Sequence, residues 1–204
     1  MEQVRKLALF GGTFNPIHNG HMHAARTVLE RCSPDVVLFM VSGIPPHKRV
    51  ENEKEMRRHR YEMTKLAVKD EPKFEVSDIE LKNESVSYTI DTLGKLIELY
   101  EPKSLSMILG TDMFLSFEKW RSYDKILDIC KLIVLPRFAD SISDIEKKRD
   151  TEFSKWKDRI TVINADIIEI SSTELREMVK SGNISDKLIP SSVAEYIKEN
   201  KIYL

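Results

Sequence analysis

The chain has 204 residues, 41% hydrophobic and 32% charged, with 32 Lys and Arg against 33 Asp and Glu and a formal charge of −1 at pH 7. That length and apolar share fit one globular unit, 1–204, able to bury a core without disulfides or a structural metal. The near-cancelling charge excludes a dedicated nucleic-acid coat, whose affinity rests on neutralising phosphates, but leaves room for a basic pocket that takes one nucleotide.

Val4 to Phe10 reads as a first strand that stops at Gly11-Gly12. Asn19 is placed to cap a helix from Gly20 to Cys32, with Met22, Ala25, Leu29 and Cys32 on one face. Val36 to Val41 is a second strand, followed by a loop with Gly43, Pro45 and Pro46 and a charged helix from about Glu55 to Val68. Phe74 to Val76 is a short strand, and Ile90, Leu93, Ile97 and Tyr100 form a helical stripe. Strands are expected at Leu105–Leu109, ending at Gly110, at Leu132–Leu135, ending at Pro136, and at Ile160–Ile163. A polar helix is expected over Ser141–Trp156, with further helices at Thr173–Lys180 and Ser191–Asn200. This alternation predicts an α/β fold, a Rossmann-like doubly wound parallel sheet with helices on both faces. Ligands of such sheets gather beyond the carboxyl ends of the strands.

Cys32 and Cys130 stand in apolar settings without a CxxC partner and read as reduced thiols. The opening run MEQVRKLALFGGTF is too short in apolar residues for a signal peptide, and no stretch nears the roughly 20 apolar residues that a membrane span needs. The expectation is a soluble, cytoplasmic protein with no membrane or nucleic-acid partner. The basic MRRHRYEM run, Met56 to Met63, reads as a solvated helix face, and the methionines at helical spacing read as core.

Two segments carry chemistry. The first is GGTFNPIHNGH, from Gly11 to His21. Gly11 and Gly12, directly after a strand, let the backbone turn and approach a ligand. The following helix start offers bare N–H groups and a positive dipole end. His18 and His21, three apart, can face one point there, and the set suits a triphosphate whose leaving oxygens gain charge. The same residues also suit ordinary capping, and with His23 they raise a zinc site, against which no Cys or carboxylate stands at ligand spacing. The second segment is ISSTELR, where Ser171 and Glu174 fit a capping box. Ser172, Thr173 and the Arg176 fork make either an anion cradle or a plain capped helix with a surface arginine.

Together these strings resemble the HxGH and ISSTxxR signatures of the nucleotidyltransferase superfamily that adenylylates or cytidylylates small phosphates, over essentially the whole chain. The branch most similar is that of the bacterial nicotinate-nucleotide adenylyltransferases. The resemblance implies that Thr13, Phe14, His18 and His21 contact ATP, with His21 most tied to the transition state. It implies that Ser172, Thr173 and Arg176 grip the β and γ phosphates, the helices from about residue 171 completing the ATP site. Asn15, on the mononucleotide side, stands where many members carry Asp.

On the acceptor side, IPPHK (Ile44 to Lys48) is similar to the PPHK loop of that branch, and an ammonium at Lys48 can neutralise the acceptor phosphate. GTDMFLSFEKW resembles the family segment that assigns Gly110 and Asp112 to the adenosine ribose and Trp120 to the pyridine ring. Thr89 of SYTIDTL lies by the ring under the same resemblance. Arg121 is expected to act through its backbone amide on the nicotinate carboxylate, and Arg137 is a weaker phosphate candidate. The implied reaction joins ATP and nicotinate mononucleotide, with Mg²⁺ bridging ATP oxygens and no ligand from protein side chains. His18, His21, Lys48 and Arg176 are the expected catalytic set. Nicotinamide mononucleotide, another small phosphate such as phosphopantetheine, or a nucleotide sensor without turnover are the alternatives. A homodimer is compatible with the chain.

Overall fold

The computed structural model describes residues 6–43, 53–83, 86–136, 141–164, 170–183, 185 and 187–204. Its elements run β1 (Lys6–Gly12), α1 (Asn19–Cys32), β2 (Val36–Val41), α2 (Glu53–Val68), β3 (Phe74–Ser77), α3 (Thr89–Tyr100), β4 (Ser104–Gly110), α4 (Thr111–Leu115), α5 (Tyr123–Ile129), β5 (Lys131–Leu135), α6 (Ser141–Thr151), β6 (Ile160–Val162), α7 (Ser172–Lys180) and α8 (Ser191–Glu199). Short 3₁₀ turns at Phe117–Lys119 and Ser154–Arg159 complete the set. The strands form one six-stranded sheet, ordered β3-β2-β1-β4-β5-β6, with every pairing parallel.

Such a sheet must be covered on both faces, and the strands show it: in β2 every residue after Val36 is buried. Alternation along each strand sorts the core in two. Ala8, Val37, Phe39, Val41 and Ile108 face a layer built by Met22, Ala25 and Val28 of α1, Met63 of α2, and Val193 and Ile197 of α8. Leu7, Leu9, Leu38, Met40 and Met107 face the opposite layer, with Leu93 and Leu96 of α3, Phe114 of α4, Ile126 and Leu127 of α5, and Ile145 of α6. Each fully buried Val, Leu, Ile, Phe or Met among them contributes roughly 1.5–3 kcal/mol relative to exposure.

The departures from expectation are local. β1 carries on through both glycines, because Gly11 and Gly12 still pair with Met40 and Val41. α1 begins at Asn19, with His18 as its N-cap. In α3 the buried face is Thr92, Leu93 and Leu96, and Ile97 is exposed. The expected helix Ser141–Trp156 is α6 followed by a 3₁₀ turn in which Trp156 leaves helical geometry. Helices α4 and α5, of five and seven residues, are too short to show a period. Met113 and Met178 are exposed, against the core reading of the methionines.

Candidate active site

The strand order reverses between β1 and β4, and the register shows what happens there. The two strands pair only as far as Leu9 and Met107. Beyond that point β1 follows β2 to Gly12, while β4 follows β5 to Gly110. The sheet therefore parts at its carboxyl edge, the place where ligands of open α/β sheets sit. The rims of the opening are bare: a Cβ added at Gly11 or Gly110 would meet nothing within 4 Å. Gly12 has a different reason to lack a side chain, since its Cβ would lie 2.7 Å from the Phe14 ring.

Phe14 holds φ at +47°, a region that bulky side chains rarely enter, and a cis Asn15–Pro16 bond follows. Its ring is buried and meets Phe10, Phe39 and His21 edge-on or tilted, with the His21 contact at 5.0 Å between centroids. The His18 and His21 rings stack 3.6 Å apart with 27° between their planes. The His18 N–H donates to His21 Nδ1 at 3.2 Å. With Nδ1 accepting, a neutral His21 ring carries its proton on Nε2. The helix start is tied down by Asn19, which donates from its backbone to Leu188 O and from Nδ2 to Lys187 O.

The second motif docks on the first. Arg176 Nη1 donates to Asn15 O at 2.9 Å and to Ser172 O at 3.2 Å, and Nη2 donates to Thr173 Oγ1 at 3.1 Å. Ser172 Oγ donates to Pro16 O at 3.2 Å, and Ser171 Oγ caps α7 by accepting from the Thr173 N–H. Segments about 160 positions apart in sequence, as the separation of 161 between Arg176 and Asn15 shows, thus close on one turn. Arg176 and Ser172 therefore anchor on the turn that leads, two residues later, into the His18–His21 pair. The Ser172 hydroxyl proton is engaged with Pro16, whereas Thr173, accepting from Arg176, keeps its own proton to donate outward.

On the other side of the opening, Gly110 caps α4 and exposed Asp112 sits in its first turn. Thr89 opens α3 with Tyr88 as N-cap. The half-buried Trp120 packs on Phe117 at 5.1 Å, and the Arg121 guanidinium lies 4.5 Å from the Tyr88 ring centroid. The Trp120–Arg121 turn and the start of α3 are therefore neighbours. Lys48 and Arg137 lie outside the described residues. Among the described residues no group of three or more His, Cys, Asp or Glu could hold a metal ion.

Three residues bonded to these segments were not legible as such. Tyr203, near the end of the chain, donates its hydroxyl to Asn15 Oδ1 at 2.5 Å. Burial pushes that phenol well above its ordinary range, against the opposing pull of Arg176 and Arg60. Arg60, read as part of a solvated face, is completely buried. Its signal was present: it lies on the helical stripe Met56, Arg60, Met63, Ala67, an arginine on an apolar face. Glu80 accepts from Thr92 Oγ1 at 2.7 Å, and burial raises its pKa while Thr92, the Gly43 N–H and Lys95 oppose the rise.

Comparison with known proteins gives the same picture. A family profile described as cytidylyltransferase-like matches residues 9–178. A Clostridium tetani protein named "Probable nicotinate-nucleotide adenylyltransferase" is 37% identical over 202 residues, covering 98% of this chain and 100% of that one. A Caldicellulosiruptor bescii protein of the same name is 39% identical over 198 residues, covering 97% and 98%. The solved Plasmodium falciparum nicotinic acid mononucleotide adenylyltransferase complexed with NaAD has the same fold, with a TM-score of 0.76 at 19% identity over 98% of this chain and 97% of that one. Among the described residues no helix is long and apolar enough to cross a membrane. The chain belongs to the cytidylyltransferase-like family and, within it, to the nicotinate-nucleotide adenylyltransferase branch.

Proposed function

We propose that the protein transfers AMP from ATP to nicotinate mononucleotide, giving nicotinate adenine dinucleotide and pyrophosphate, as one cytoplasmic domain spanning 1–204. The observation that carries this reading is the docking of Arg176 and Ser172 on the Asn15–Pro16 turn, beside the stacked His18–His21 pair. In the reaction an oxygen of the acceptor phosphate attacks the α-phosphorus of ATP. The bond from that phosphorus to the bridging oxygen breaks, and its electron pair leaves on pyrophosphate. The acceptor is already an anion at neutral pH, so no base is needed.

Within this reading Gly11, Gly12, Thr13 and Phe14 supply the backbone against the triphosphate. His18 and His21 face the oxygens that gain charge, His21 through its Nε2–H. Thr173 and Arg176 hold the outer phosphates, and the Ser172 hydroxyl serves to dock α7. Gly110 and Asp112 take the adenosine ribose. Asn15, Lys48, Thr89, Trp120, the Arg121 backbone amide and Arg137 form the mononucleotide side. The donors at the turn are N–H groups and hydroxyls, which suit phosphate oxygens and not a hard cation. Mg²⁺ would therefore ride on ATP oxygens and water, where it supplies charge neutralisation of the leaving group.

The test is a paired assay of nicotinate and nicotinamide mononucleotides with ATP and Mg²⁺, following both pyrophosphate and dinucleotide. Turnover with the acid above the amide is expected, and EDTA should abolish it. Tight ATP binding without pyrophosphate release with any mononucleotide would instead favour a nucleotide sensor.

A further inference from the structure

Arg60 joins the carboxyl ends of two neighbouring strands from beneath. It projects from α2 and is fully inaccessible to solvent. Nη1 donates to Thr13 O and to Ser42 O, both at 2.8 Å, and Nη2 reaches Gly43 O at 3.5 Å. Thr13 belongs to the turn after β1; Ser42 and Gly43 are the first residues after β2. Ser42 is also bonded straight across to the end of β1, through its N–H and its hydroxyl to Gly12 O.

Gly43 is held from its other side by Glu80. Its N–H donates to Glu80 Oε2 at 3.4 Å, and Glu80 Oε1 accepts from Thr92 in the first turn of α3. A side chain has no room there, because a Cβ on Gly43 would lie 2.4 Å from Glu80 O. One connected set thus runs from the turn at Thr13, through Arg60, to Gly43, Glu80 and the start of α3.

We infer that Arg60 is a positioning residue for the transfer reaction, fixing the peptide planes that face ATP and the acceptor, with Glu80 steadying the acceptor half. The inference rests on the proposed function and deepens it. A buried guanidinium loses its hydration at a large cost unless its hydrogen bonds are replaced, so packing alone would be served better by Met or Leu. What Arg60 does and they cannot is draw two or three carbonyls toward α2. In a trans peptide the next N–H points opposite to the carbonyl, so the pull on Thr13 O turns the Phe14 N–H away from the guanidinium. The negative ends of these peptides are thereby withdrawn from the anionic substrates, and a fixed positive charge lies under them.

Arg60→Met, Arg60→Lys and Glu80→Gln are compared with the wild-type protein in the ATP and nicotinate mononucleotide assay, with thermal melts as the check on folding. Losing charge-assisted hydrogen bonds should lower kcat/KM by about 10- to 100-fold in Arg60→Met, with both substrates affected. Arg60→Lys keeps the charge but not the fork, so its rate should fall between the two. Folded Arg60→Met with kcat and both KM values within about twofold of wild type overturns the inference, since packing alone would then explain the residue. Should Arg60→Met not fold, Glu80→Gln decides: it should raise the acceptor KM about three- to tenfold and leave the ATP KM unchanged, and an unchanged acceptor KM counts against the idea. Should the wild type itself show no turnover, the proposed function fails separately. ATP affinity by calorimetry then carries the test, with about tenfold weakening in Arg60→Met supporting the role and equal affinity overturning it.

Discussion

Replacing His21 by Ala removes one oriented donor and one acceptor, and the two losses are read in different experiments. The ring is held on three sides, by the His18 stack at 3.6 Å, by the Phe14 edge at 5.0 Å and by the His18 N–H on Nδ1. Under the proposed function it therefore needs no reorganisation when charge builds on the leaving oxygens. Removing one such preorganised donor costs about 2.7–4 kcal/mol of transition-state stabilisation, or about 100- to 1000-fold in kcat. Loss of the Nδ1 bond at the helix start costs about 0.5–2 kcal/mol of stability, close to the loss of an ordinary cap. For a chain of this size each kcal/mol moves Tm by about 2–4 °C. The assay pairs steady-state kcat with the ATP dissociation constant by calorimetry, and with a thermal melt. The expected result is a large fall in kcat, an ATP affinity changed by less than about threefold, and a melt lowered by a few degrees. A kcat reduced less than about tenfold, or an equal loss in kcat and ATP affinity, would refute the assignment of His21 to developed charge.

Arg176→Lys keeps a cation but cannot reach Asn15 O, Ser172 O and Thr173 Oγ1 together, so ATP binding by calorimetry should weaken by at least about tenfold. Tyr203→Phe deletes the hydroxyl bonded to Asn15 and should cost about 1 kcal/mol, a Tm drop of about 2–4 °C, together with a raised acceptor KM. In a thiol titration at pH 8, Cys130, fully buried and with its pKa pushed up by burial to about 12, should stay unreactive until the protein unfolds. Native protein should then react at Cys32 at most, and slowly, because burial raises that thiol as well. Glu80→Gln also has a pH signature. Because burial raises the Glu80 pKa, the folded state keeps that proton longer than the unfolded chain, and wild-type stability falls as pH rises from about 4.5 through the folded value. The melts of Glu80→Gln should lack this component across that window.

Much of this was legible in the chain. The apolar runs Val36–Val41 and Leu132–Leu135 are buried strands because a parallel sheet hides both faces. Local rules also found the α7 cap at Ser171. They failed where a contact distant in sequence overrides a local pattern. MRRHRYEM is basic enough to read as solvated, yet Arg60 turns inward because the carbonyls of Thr13, Ser42 and Gly43 wait for it there. On the α3 stripe Ile90, Leu93 and Tyr100 pack on the core as expected, and only Ile97 departs, because Leu96 fills the buried position beside it.

The sequence by itself determined the periodicities, and with them the parallel α/β class, together with the two signatures that name the family. These follow from hydrophobic spacing and backbone chemistry within a dozen residues, which any window of the chain contains. Only the tertiary structure decided that β1 and β4 part beyond Leu9 and Met107, that α7 closes on the Asn15–Pro16 turn, and that Tyr203 and Arg60 reach the same segment. Those outcomes depend on which distant groups the folded sheet brings within hydrogen-bond reach, and no local pattern records that distance.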